Sequence, residues 1–190
     1  MKKKFTQSGF TLIEAMVAIS ILSIAVTGPL IIAQKGISSA LYARDEVTAF
    51  YLAQEAIEYV RNVRDTNRIW AVPWLNSNLS RCEDTGSNER CQIDARYASS
   101  TSQGAITVCP LGVCPPLSFG ALPSDPLAGF YGYPVSGDGY TWSPTKFTRT
   151  IFMDTGASPK EAVISVSISW KTTLFNPTRT FTVKEYIFDF

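Results

Sequence analysis

Histidine is missing altogether from these 190 residues. Its absence removes the commonest general base near neutral pH, the Ser-His and Cys-His nucleophile pairs, and most catalytic zinc sites. A Gly-rich phosphate loop is lacking too, and no evident nucleophile–base set replaces it, so no enzymatic activity is expected. Charge is sparse, at 17% of residues, and nearly balanced at +1. That argues against a nucleic-acid-coating protein, and no direct nucleic-acid partner is expected. The small excess is local. Lys2, Lys3 and Lys4 open the chain, and without them 14 basic residues face 16 acidic ones.

What is present is concentrated near the start. Residues 10–33 read FTLIEAMVAISILSIAVTGPLIIA, with Glu14 the single charge. As a helix this stretch is ~36 Å long, enough to cross a hydrocarbon layer of roughly 30 Å. The three lysines on its N-terminal side hold that end in the cytoplasm, which puts the chain after about Gln34 on the other side. A secretory signal peptide fits poorly, because the run is too long and no small-x-small site ends it. A plain uncleaved anchor fits better but gives Glu14 no purpose, and a carboxylate inside a membrane costs about 2.5–3.5 kcal/mol on insertion scales.

Lys2-Lys3-Lys4-Phe5-Thr6-Gln7-Ser8-Gly9, followed by Phe10-Thr11-Leu12-Ile13-Glu14, resembles the class III signal of type IV pilins and type II secretion pseudopilins. That pattern is a short basic leader ending in glycine, an aromatic residue, a Thr-Leu-Ile-like triplet and then a glutamate. The resemblance implies cleavage between Gly9 and Phe10 by a prepilin peptidase and methylation of the new Phe10 amine. It also implies that Glu14 pairs with the terminal amine of a neighbouring subunit during assembly. Pairing an ammonium with a carboxylate offsets part of what each costs in hydrocarbon, so the pair can check register. Gly28-Pro29 interrupts the run, and a kink or locally melted stretch is expected there.

From about Lys35 to Asn67 there is no proline, and helix formers predominate. On a helical wheel Ala49, Phe50, Leu52, Ala53, Ala56, Ile57, Tyr59, Val60 and Val63 share one half, interrupted by Arg64. Gln54, Glu55, Glu58, Arg61, Asn62 and Asp65 share the other, with Tyr51 among them. The apolar half must lie against something, and a β-sheet is the expected partner. Residues 53–65 are similar to a stretch of minor pilins and pseudopilins of the I or V kind.

After Asn67 small polar residues, glycine and proline take over, as in Asn76, Ser77, Asn78 and Ser80. Cys82, Cys91, Cys109 and Cys114 are disulfide candidates in an exported region. Three pairings are open, of which Cys82–Cys91 with Cys109–Cys114 closes the shortest loops. The spacing does not suit a structural zinc site. Asp84, Ser87, Asn88 and Glu89 make the loop between the first two cysteines oxygen-rich. It does not match an EF-hand, so a polar turn is expected rather than calcium, and no cofactor. Trp70, Trp74, Phe130, Tyr131, Tyr133 and Tyr140 are expected to pack under loops rather than form an exposed contact surface. Three strand-like runs follow at 147–153, 162–170 and 178–188, separated by turn residues in 154–159 and 175–177. In the middle one Ala162, Ile164, Val166, Ile168 and Trp170 alternate with Val163, Ser165, Ser167 and Ser169, the mark of a half-buried antiparallel strand.

The expected architecture is α+β and pilin-like, a long N-terminal helical spine on a small antiparallel sheet. It divides into a basic leader (1–9), a membrane and filament-core half-helix (10–33) and an amphipathic half-helix (34–67). An irregular cysteine-containing region (68–139) and a β-meander (140–190) complete it. The resemblance implies an assembly subunit, minor or priming, of a type IV pilus or type II secretion pseudopilus. Its partners would be other pilin or pseudopilin subunits, prepilin peptidase, an inner-membrane platform and, before assembly, membrane lipid. It would pass once through the cytoplasmic membrane with its head outside, then enter a periplasmic or cell-surface filament. The competing expectation is a single-pass anchored extracellular binding module that never polymerises.

Overall fold

A computed structural model of the chain describes residues 9–75, 79–83, 89–97, 105–135, 137, 139–156, 160–171 and 177–189. The leader lysines, Asn76 to Asn78, the loop residues Asp84, Ser87 and Asn88, and parts of both turns between the last three strands lie outside the described residues. The chain forms two compact units, Met1–Arg44 and Asp45–Phe190. One helix, α1 (Leu12–Ile69), contributes to both.

In the first unit α1 is helical without a break through Gly28 and Pro29. Of the kink or locally melted stretch expected there, the helical assignment speaks only to the second, and the helix stays wound. Proline withholds a single N–H donor, and the helix tolerates that one missing bond. The hydroxyls of Ser20, Ser23 and Thr27 donate to the carbonyls of Met16, Ile19 and Ser23 at 2.8–2.9 Å. These side chains therefore need no water, as a lipid-facing helix requires.

In the second unit the Asp45–Ile69 part of α1 lies on an antiparallel sheet. The helix buries Ala49, Leu52, Ala53, Ala56, Ile57, Tyr59, Val60 and Val63, every member of the apolar half except Phe50. Phe50 sits at the stripe's edge and meets Phe181 edge-on, with ring centroids 6.0 Å apart. The stripe ends in two polar residues, Asp45 and Asn67, both buried. Lys146 Nζ donates to Asp45 at 2.5 Å, and Asn67 Nδ2 to the Trp74 carbonyl at 3.1 Å.

The sheet is organised by β5. Strands β1 (Cys91–Ile93) and β2 (Ile106–Val108) form one hairpin, and β3 (Pro116–Gly120) with β4 (Tyr131–Gly132) another. β5 (Trp142–Asp154), β6 (Glu161–Trp170) and β7 (Arg179–Phe188) follow as an antiparallel meander. One edge of β5 carries β6; the other carries β3 over Trp142 to Thr148 and β1 at Ile151. In β6, Ala162, Ile164, Val166, Ile168 and Trp170 are buried and alternate with half-buried residues, as the period-two pattern requires. Gly120 crosses so close to the Leu127 carbonyl that a Cβ there would collide with it.

Disulfides Cys82–Cys91 and Cys109–Cys114 cross-link the irregular region. In the chain-entropy account loops this short each contribute roughly 2–3 kcal/mol. The aromatic residues divide rather than acting together. Trp74 and Tyr133 are buried and Tyr131 packs on the core, whereas Trp70, Phe130 and Tyr140 are exposed. Trp70 lies beyond the end of α1, where the chain turns through a left-handed Ala71.

Candidate functional site at the start of the helix

Thr11 stops α1 at its N-terminal end. Its carbonyl accepts from Ala15 N at 3.2 Å, and its hydroxyl accepts from the Glu14 backbone N–H at 3.4 Å. Threonine at the cap with glutamate three residues on is the capping-box pattern, which supplies acceptors to helix N–H groups that otherwise have none. Gly9 and Phe10 therefore lie outside the helix and are exposed, Phe10 by 81%. The Gly9–Phe10 peptide bond lies in an exposed segment without regular secondary structure.

Glu14 occupies the first turn, where the helix dipole favours negative charge. It is exposed, as are the apolar residues around it: none of the most apolar 18-residue window of α1 is buried. By length and composition this part of the helix can cross a membrane. A backbone amine created at Phe10 would carry positive charge one residue before the cap, at the same end as the Glu14 carboxylate.

The head holds a second polar cluster, which sequence reasoning missed. Arg149 is completely buried on the inner face of β5. Its guanidinium donates to the Leu52 carbonyl at 3.1 Å, to Glu55 at 2.6 Å and to the Ile93 carbonyl at 2.5 Å. It thus ties β5 to both α1 and β1. Asp94 accepts from Arg96 at 2.6 and 2.8 Å and from the Tyr133 backbone N–H at 3.1 Å. Arg96 in turn donates to the Tyr133 carbonyl and lies 4.3 Å over the Trp142 ring. Burial pushes the Tyr133 hydroxyl up, with Arg149 opposing. The signal was present as parity: Arg149 and Glu185 fall at inward positions of alternating strands, where a charge must find a partner.

Tyr59 reports on the same region. Its hydroxyl is buried without a hydrogen-bond partner among the described residues. Burial, aided by the Asp94 charge, pushes its pKa up to about 12, from the ordinary tyrosine value near 10. The folded state thus holds this proton more tightly than the unfolded one. The associated stability is complete below about pH 10 and is lost as pH rises towards 12, by about 2–3 kcal/mol. Tyr59→Phe is expected to change stability by less than about 1 kcal/mol at pH 7 and to flatten this alkaline loss. Urea titrations of both proteins between pH 8 and 12 measure it; parallel alkaline losses would refute the assignment.

Among the described residues no group of three or more acids or cysteines is placed to hold a metal ion. Comparison with curated proteins and with solved structures finds no match. The N-terminal stretch does find one: residues 4–28 match the prokaryotic N-terminal methylation motif, the prepilin-type signal of type IV pilins and pseudopilins.

Proposed function

We propose that this chain is an assembly subunit, minor or priming, of a type IV pilus or type II secretion pseudopilus. The observation that carries the reading is the methylation motif over residues 4–28, joined to a helix that begins at Leu12 with Glu14 in its first turn. Prepilin peptidase cuts between Gly9 and Phe10 and methylates the Phe10 amine. Residues 10–33 hold the subunit in the cytoplasmic membrane, with the disulfide-bonded head outside. Assembly then transfers the helix from lipid into the filament core. Glu14 meets the Phe10 amine of a neighbour, and each charge lowers the cost of the other in a medium that solvates neither.

Mass spectrometry of the protein from cells with an active prepilin peptidase tests this. The expected N-terminus is N-methylated Phe10. Retention of residues 1–9, or a terminus beyond Pro29, would overturn the reading.

A further inference from the structure

β7 is the last strand on its side of the sheet: among the described residues it pairs with β6 alone. Just past its end, Asp189 N donates to the carbonyl of Lys160, directly opposite, at 2.9 Å. Bonded positions alternate along an antiparallel ladder, so Ile187, Glu185, Val183 and Phe181 direct their backbone groups at β6. Thr180, Thr182, Lys184, Tyr186 and Phe188 turn theirs outward, where no described backbone meets them. Proline or a bulge commonly blunts such an edge. β7 has neither, and its register with β6 runs unshifted from Arg179 to Phe188.

The open edge borders a concavity of about 560 Å³ between β7 and α1, with Phe50, Tyr51, Ile57 and Val183 as its apolar lining. The helix-facing side of β7 is fixed by two contacts, Phe181 on the Phe50 ring and Glu185 on Arg61 at 2.6 Å. A strand added to β7 places every second side chain on that same side, beside the concavity. It also brings the extended backbone that a row of outward N–H and C=O groups requires, which neither a helix nor a lipid offers.

Lys184 narrows the choice of strand. It lies midway along the outward-bonding residues, is exposed, and forms no ion pair among the described residues. Full antiparallel overlap of two β7 edges sets Lys184 against Lys184, which disfavours a second copy, whereas a carboxylate opposite it is favoured. We propose that β7 is extended by a strand from a different pilin-like subunit, with an acidic residue opposite Lys184 and apolar side chains alternating into the concavity. The contact rests on the filament reading above. A neighbour whose helix packs beside the Asp45–Ile69 half of α1 brings its own head to this flank, and the neighbours of a minor or priming subunit are other chains.

A photoreactive p-benzoylphenylalanine in place of Tyr186 tests the contact in cells carrying the assembly machinery. Irradiation is expected to join the head to a different pilin-like subunit, at a segment of alternating apolar residues that includes an acid. Thr182→Pro, which removes an outward N–H, should lower the adduct at least fivefold relative to Thr182→Val, which keeps it. Lys184→Glu, an exposed change that spares the backbone, should lower it about two- to fivefold and decides the matter if the proline variant does not fold. Adducts only with lipid, with a second copy or with a partner's helix, or a yield indifferent to both Thr182→Pro and Lys184→Glu, overturn strand addition while filament recovery still depends on Glu14. Recovery indifferent to Glu14→Val overturns the filament reading, and the partner named here with it.

Discussion

Glu14→Val is expected to leave membrane insertion intact and to lower recovery of the subunit in filaments at least tenfold. Valine removes the carboxylate but keeps the apolar character of the helix, so insertion has no reason to weaken. What the variant loses is the countercharge for an incoming amine. An ammonium left unpaired in hydrocarbon costs several kcal/mol, and about 1.4 kcal/mol already corresponds to a factor of ten. Glu14→Asp keeps the charge one methylene further back and should recover part of the loss. Membrane fractionation gives the first quantity, and shearing followed by immunoblotting of the filament fraction gives the second. A plain anchor predicts no difference between Glu14 and valine in either fraction, and that result would remove assembly from the account.

Arg149→Ala is expected to destabilise the head by about 3–4 kcal/mol. The side chain is fully buried, so truncation leaves a cavity and removes its bonds to the Leu52 and Ile93 carbonyls. Glu55 adds little to the loss, because it is partly exposed and can turn to water. Arg149→Met refills most of the volume but not the hydrogen bonds, and is expected to recover about half of the loss. Urea unfolding of the full chain in detergent, followed by tryptophan fluorescence, measures both variants. Equal midpoints for the parent and Arg149→Ala would show that the guanidinium does not hold α1 and β1 to β5.

The two halves of the molecule were not equally legible in the sequence. The α+β architecture could be read because both of its signals are periodic. A 3.6-residue stripe runs from Ala49 to Val63 and a two-residue alternation from Ala162 to Trp170, and each pattern has one physical cause. The methylation motif could be read because the spacing from Gly9 to Glu14 is short and local. The hairpins on the far edge of β5 were not legible. β1, β2 and β4 are two or three residues long, too short for alternation to declare itself. The polar cluster escaped for a different reason. Arg149 on β5, Glu55 and Tyr59 on α1, and Asp94 after β1 come from three places far apart in the chain, and only the tertiary fold brings these together.

β5 offers its two edges to different tasks. One edge, over Thr148 to Asp154, is committed to the meander that seats the helix, and the opposite one hosts two small hairpins. Loops borne by those hairpins can therefore lengthen, shorten or change character while the helix seat stays the same. The head resembles a fixed mount with exchangeable fittings, free to diversify what it shows outwardly without renegotiating how the subunit is held.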